Sequence, residues 1–242
     1  MTHADFELAI QEEPDESAHY AAYGDWLHER GHPRGDFIQV QLALEDGSRS
    51  PTRREGLRER ELELLARHEH DWLGPLAPVV VREGNRYRWA RGFLHSLGIG
   101  QLSVADGRAL RDAAAARFLR ELVIEDEAAA DENEQAINDD LPEGWREGWE
   151  PFLGLQPVLQ APISFPCLRV FRIGPEPEIG EGRGWADCWT YCHDLPALVL
   201  RMPLVEELHL YCKRYDVERL FASPCLTRLR LLRVHHLGEV AW

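Results

Sequence analysis

Apolar residues recur in one arrangement in five segments of the chain, and this arrangement predicts short strands. In each segment an apolar residue is followed three positions later by a second and five positions later by a third. The segments begin at Leu94, Leu119, Leu168, Val205 and Leu226. The second and third apolar residues are two positions apart, which places both side chains on one face of a strand. One such strand cannot bury its apolar face alone, so the pattern predicts strands stacked around a shared core.

The spacing of these segments is typical of an irregular repeat. Successive segments start 25, 49, 37 and 21 residues apart, and leucine-rich repeats are roughly 20–29 residues long. Pro166, Pro203 and Pro224 each stand two positions before the first apolar residue of a segment; a proline there fixes the entry turn and cannot join a ladder. The segments resemble a degenerate leucine-rich repeat array, which implies an α/β solenoid with a parallel sheet. Ordinary unrelated strands are the alternative.

The N-terminal part of the chain, over residues 4–70, shows helical periodicity instead. Asp15 is predicted to cap the second helix, and Ser50 with Pro51 has the pattern of a helix start. Gly31 is expected to end one helix in the left-handed conformation, and Pro33 to begin the next. These signals predict a small helical domain over residues 1–75.

Residues 76–242 are expected to form the repeat domain. Residues 79–81 and 87–89 predict a β-hairpin that turns near Gly84 and leads into the first repeat segment. The fold class predicted for the whole chain is therefore α/β: a small helical domain, then a short and irregular leucine-rich-repeat-like solenoid.

The most specific motif lies in the helical part. It reads Asp-Trp-Leu-His-Glu-Arg-Gly at residues 25–31 and Pro-Arg-Gly-Asp-Phe-Ile at residues 33–38. The stretch from about residue 5 to residue 45 closely resembles the bacterial repeat-companion domain, which has Glu where this chain has Asp36. Members of that family commonly precede leucine-rich or similar repeats, and the resemblance implies no catalytic activity. From the residues themselves, Trp26 and Phe37 are predicted core anchors.

The charge balance limits the expected partners. The chain carries 27 Lys and Arg against 42 Asp and Glu, a net charge of −15, which disfavours nucleic acid and anionic membranes because phosphate contact requires a positive surface. It contains no apolar run long enough for a transmembrane helix, and its N-terminus lacks the features of a signal peptide. Five cysteines without framework spacing agree with a reducing compartment. A cytoplasmic location is expected.

Two insertions between the repeat segments are candidates for binding. The first, at about residues 125–163, is acidic: residues 125–150 hold eleven acidic residues and one basic residue, with Trp145 and Trp149 four positions apart. It is either a solvated loop whose rings pack on the repeats or a docking segment for a basic protein. The second, over residues 175–194, is rich in Gly and Pro and contains Trp185; insertions on one face of a repeat array are where binding sites are often built. The remaining partner-binding candidates lie near the last two strands: His209, Tyr211, Arg228 and Arg230.

Cys188, Cys192 and His193 bring metal-ligand residue types close together in the sequence. Zinc requires a fourth ligand, and no partner pair of Cys or His stands at matching spacing, so neither metal nor cofactor is predicted. No signature of a nucleophile elbow, a phosphate-binding loop or a dinucleotide site is present. The leading hypothesis is a non-catalytic protein-interaction module that binds another protein on its concave face. A metal-binding or catalytic protein that uses this cluster is the alternative.

The sequence of the last segment predicts that the sheet ends in an open edge. Its apolar pattern ends at Leu231, and residues 233–242 have too little helical pattern for the polar cap that a repeat array requires. We expect this edge to be covered by self-association, by a partner or by further repeats. Leu208 and Leu229 are expected to be almost fully buried on neighbouring strands.

Overall fold

The structure, a computed structural model, describes residues 1–127, 153–160, 165–174, 195–212 and 215–234. The chain begins with five helices: α1 (His3–Glu12), α2 (Ser17–His28), α3 (Pro33–Glu45), α4 (Pro51–Leu73) and α5 (Ala77–Val80). In the described residues six strands follow: β1 (Arg86–Ala90), β2 (Phe93–Leu102), β3 (Glu121–Glu127), β4 (Val170–Ile173), β5 (Glu207–Leu210) and β6 (Leu231–Val234). Short helices precede β3, β4, β5 and β6 in turn: α6 (Val104–Asp112), α7 (Gln156–Gln160), α8 (Leu195–Val199) and α9 (Val217–Phe221). The predicted α/β class is confirmed at this level, with N-terminal helices and a mostly parallel sheet.

Most predicted helix boundaries are confirmed, because capping is local chemistry. Pro33 and Pro51 occupy the first turns of α3 and α4, where the missing N–H of proline has no helical partner to lose. The Ser50 hydroxyl accepts a hydrogen bond from the Arg53 amide at 3.4 Å. Gly31 has a φ of 67°, the left-handed conformation expected where α2 ends.

The predicted cap of α2 is wrong. The side chain of Glu16, rather than that of Asp15, accepts the hydrogen bond from the Ala18 amide, at 3.0 Å. Asp15 lies in the turn before the helix, and its carboxylate pairs with residues of the sheet instead.

The helices and the sheet share one hydrophobic core. Phe37 is fully buried and stacks on Trp72, with ring centroids 4.8 Å apart, and the edge of Trp89 meets it at 5.7 Å. The same cluster continues into the apolar face of the parallel strands. The prediction that Phe37 anchors the core is confirmed, whereas Trp26 is only partly buried and packs against a smaller cluster around Phe6 and Tyr23.

The hairpin of the structure lies about seven residues further along the chain than the predicted one. Residues 79 and 80 belong to α5 and are buried in the core, so their tertiary contacts override the strand preference of valine. The antiparallel pair is β1 with β2, and it turns at Arg91 and Gly92, which have φ values of 53° and 85°. The amide of Gly92 donates to Oε1 of the buried Gln41 at 2.6 Å, which ties the turn to α3.

Strands β2 to β6 run parallel and in sequence order. Their register aligns two rows of buried side chains on the core side. The first row is Leu97, Leu122, Phe171 and Leu208; the second is Ile99, Ile124, Ile173 and Leu210. The apolar pattern therefore identified the core face of the first four parallel strands correctly.

The fifth segment is displaced by three residues from its prediction. Leu232 pairs with Leu208, and Val234 with Leu210, so Leu229, Leu232 and Val234 take the places predicted for Leu226, Leu229 and Leu231. The cause is a 3-10 turn, Pro224–Arg228, which holds Leu226 before the strand begins. Leu208 is fully buried as expected, but Leu229 is only partly buried.

The acidic insertion predicted at residues 125–163 begins as regular structure. Residues 125–127 continue β3, and residues 153–160 contain α7, whose Val158 is fully buried in the core. The rest of the insertion, residues 128–152 and 161–163, lies outside the described residues.

Candidate interaction surface

The side of the sheet opposite the core extends across all five parallel strands. Side chains alternate between the two faces of a strand, so the residues between the core rows point to this second side. We call this surface the outer face; its members are Ser96, Gly98, Glu121, Val123, Glu125, Val170, Arg172, Glu207, His209, Leu231 and Arg233. Polar and charged residues predominate on it, whereas the core rows are entirely apolar.

Charged groups on the outer face pair across neighbouring strands. Glu125 lies between two arginines: Oε1 accepts from Nη2 of Arg86 and, at 3.5 Å, from Nη2 of Arg172. Arg86 has 68% of its side chain exposed and Glu125 has 35%. Ion pairs this exposed contribute little to stability, so their charges are available to another molecule.

Four of the predicted partner-binding residues lie in the described part of the chain. His209 is on the outer face but only 12% of its side chain is exposed; its Nε2 is 3.6 Å from Glu207. Tyr211 follows β5 and is buried, with its ring 6.3 Å from that of His209. Arg228 and Arg230 are exposed and precede β6. Because β5 and β6 run parallel, these arginines lie where the strands begin and Tyr211 lies where they end, so the four residues lie in or beside two neighbouring strands but do not form one cluster.

The other predicted site residues fall outside the described residues. They are the three tryptophans Trp145, Trp149 and Trp185 and the candidate metal ligands Cys188, Cys192 and His193. Within the described residues, no group of three or more His, Cys, Asp or Glu side chains is arranged to hold a metal ion.

One charged arrangement was missed by the sequence reasoning. Asp15 accepts hydrogen bonds from Arg120 and, at 2.8 Å, from Nη2 of Arg169. Arg169 also lies 3.2 Å from Glu206, which in turn lies 3.2 Å from Arg230. We call these five residues the charged row; it crosses β3 to β6 where the strands begin. One sequence signal points to this row: the residue directly after the first apolar position is an arginine in both the second and the third segments, Arg120 and Arg169.

The electrostatics of the charged row favour ionised Asp15. The hydrogen bond from Arg120 lowers the pKa of Asp15 despite some burial, and the charges of Arg120 and Arg169 act in the same direction. Cys167, close by, is fully buried, and burial raises the pKa of its thiol to about 12. A protonated, buried thiol is a packing group rather than a nucleophile.

None of the described helices combines the length and apolar character needed to cross a bilayer. Comparisons with known protein families, with curated proteins and with solved structures find no match to this chain.

Proposed function

We propose that this chain is a non-catalytic protein-interaction module, built as a short, irregular leucine-rich-repeat-like solenoid that follows a repeat-companion domain. Three features support this proposal. The parallel strands follow sequence order, a short helix precedes each of β3 to β6, and the apolar positions align in rows across β2 to β5. The helical motif over residues 25–38 supports the assignment of the first part.

The single observation that carries the proposed function is the outer face. It spans five parallel strands, and although Val123 on this side is buried, it exposes paired charges such as Arg86 and Glu125 and the half-exposed carboxylate of Glu207. In a solenoid this side is the concave one, and extended concave sheets are suited to holding another protein. With a net charge of −15 for the chain, a basic protein is the favoured partner.

The test is partner capture with matched charge reversals. Full-length protein serves as bait in lysate of its source cells, and the captured partner is then measured against Glu207→Arg, on the outer face, and Glu218→Arg, on α9. Both residues are partly or fully exposed glutamates, but only Glu207 lies on the outer face. We expect Glu207→Arg to reduce capture strongly and Glu218→Arg to leave it unchanged. Equal effects of the two variants would contradict the proposed face, and catalytic turnover by protein that captures no partner would contradict the function.

Self-association through β6 is part of the proposal. In the described part of the chain, β6 is the last strand of the sheet, and its Leu231 and Leu232 are only partly buried. An unpaired strand edge with apolar side chains favours pairing with another strand. Light scattering over a concentration series should show dimer formation, and a monomer at every concentration would exclude it.

We also propose that the protein resides in the cytoplasm. Among the described residues, Cys167 and Cys225 are free thiols, which a reducing compartment maintains. Fractionation of the source cells, followed by immunodetection, tests this placement.

A further inference from the structure

A small polar cavity of about 170 Å³ lies where the N-terminal helices meet the start of the sheet. The turn before α2, the end of α3, the β1–β2 hairpin and the residue before β3 all contribute to its walls. Its charged and titratable lining consists of Asp15, Glu45, Arg88, Arg91, His95 and Arg120, with the aromatic residues Tyr20, Phe93 and Phe118 beside them. Three guanidinium groups in one small cavity are notable in a chain whose net charge is −15.

Two of these arginines are held in place by the protein itself. Arg91 donates from Nε and Nη2 to the two oxygens of Glu45, at 2.8 and 3.0 Å, and from Nη1 to the carbonyl of Asp15 at 3.1 Å. Arg120 donates to the carbonyl of Pro14 at 2.6 Å and to the Asp15 carboxylate. The Nε–H of Arg120 is buried and has no acceptor. These two arginines are paired with carboxylates and held in place, so they form fixed walls of the cavity rather than adaptable ligands.

Arg88 and His95 differ from them because neither is paired with a carboxylate, and both retain free donors. Nη2 of Arg88 donates to Nδ1 of His95 at 2.8 Å. A guanidinium can only donate, so the neutral imidazole must carry its proton on Nε2. Within the described residues no carboxylate pairs with Arg88, and no acceptor meets Nε2 of His95. The cavity therefore offers hydrogen-bond donors without acceptors to match them.

The charge of the cavity indicates which anion fits. Three arginines face two carboxylates, Asp15 and Glu45, so one positive charge is unbalanced. Burial and the charges of Arg88, Arg120 and Arg91 lower the pKa of His95 to about 4, although Glu45 opposes this, so the ring adds no charge near neutral pH. A single monoanion balances the cavity, whereas a dianion leaves an excess of negative charge in a partly desolvated site.

We propose that this cavity binds one carboxylate group, held by the N–H donors of the Arg88 guanidinium that do not contact His95. The paired N–H donors of a planar guanidinium match the two oxygens of a carboxylate, and the ring of His95, which accepts from the same guanidinium, lies beside the bound group. The carboxylate belongs either to a small free acid or to an acidic side chain of a peptide. This site lies at the margin of the outer face, since Arg88 pairs with Ser96, but the proposal does not depend on the function proposed for that face.

The test follows the ring resonances of His95 by NMR in the full-length protein. Acetate, capped aspartate and dianionic phosphate are titrated in turn at constant ionic strength, with chloride as the reference anion. We expect a saturable shift with acetate. If capped aspartate binds with the same affinity as acetate, the carboxylate belongs to a peptide side chain. If capped aspartate does not bind, the carboxylate belongs to a free acid.

Matched variants separate this site from general attraction to positive charge. Arg88→Gln removes the charged donor and should weaken acetate binding by about tenfold or more. Arg86→Gln is the control, because Arg86 lies two residues away on β1 but does not line the cavity. An unchanged His95 signal in acetate, tighter binding of phosphate than of acetate, or equal loss in the two variants would overturn the proposal.

Discussion

Nη2 of Arg169 donates a hydrogen bond of 2.8 Å to the carboxylate of Asp15, across 154 residues of sequence. Asp15 belongs to the turn between the first two helices, whereas Arg169 precedes β4. The same carboxylate also accepts a hydrogen bond from Arg120, before β3. One side chain of the helical part thus contacts the entry points of two neighbouring parallel strands.

Asp15→Asn should destabilise the protein by roughly 1 kcal/mol or less, because 69% of the Asp15 side chain is exposed and water screens its ion pairs. Asp15 has a lowered pKa, so its contribution is present above the pKa of the unfolded chain and is lost as pH falls through the folded pKa. Urea unfolding at low and high salt checks this. The difference in the free energy of unfolding between Asp15→Asn and the parent protein should be smaller at high salt. A difference that is the same at both salt concentrations would contradict an electrostatic role.

Gly92→Ala should destabilise the protein by several kcal/mol, on the order of 2–5. Gly92 has a φ of 85°, and an added Cβ would lie 2.1 Å from Cγ1 of the fully buried Ile38. Gly47→Ala is the matched control, because a Cβ there meets nothing within 4 Å. Thermal unfolding of both variants measures the two losses of stability. Equal stability of the two would mean that the β1–β2 turn does not contact α3 as described.

Leu208→Ala should destabilise the protein by roughly 2–5 kcal/mol, the range for a fully buried leucine. Leu229→Ala should cost clearly less, because Leu229 is only partly buried beside the last strand. Chemical denaturation of both variants measures the difference. Equal losses would indicate that the edge at β6 is covered, for example by a second copy of the chain.

The pH dependence of stability should carry a contribution from His95. Its folded pKa of about 4 lies below the ordinary value of 6.5, so the unfolded chain binds the additional proton between these values. The contribution of His95 to the free energy of unfolding is therefore fully present above pH 6.5, and it is lost progressively as the pH falls toward 4.

His95→Gln should make that decline shallower in unfolding measured across this pH range. His70→Gln serves as the control, since 87% of the His70 side chain is exposed. If His95→Gln leaves the slope unchanged, the ring is solvated rather than enclosed by the three arginines.

The sequence alone determined the features that depend on neighbouring residues. Gly31, Pro33 and the pair Ser50–Pro51 mark helix boundaries because caps and fixed φ angles act within a few residues of the chain. The apolar spacing identified the core face of four parallel strands for a similar reason. Burial on one side of a strand requires a period of two, and this period is visible in the sequence.

Only the tertiary structure decided the features that depend on distant residues. Residues 79 and 80 are helical because they pack into the shared core, and the register of β6 follows from its pairing with β5, three residues from where its own apolar pattern placed it. Glu16, one residue further along, holds the cap position of α2, and the carboxylate of Asp15 binds Arg120 and Arg169 instead. The cavity beside Arg88 and His95 likewise joins residues from four separate elements. Local sequence patterns carry no information about these contacts, because residues that are distant in sequence come together only when the whole chain has packed.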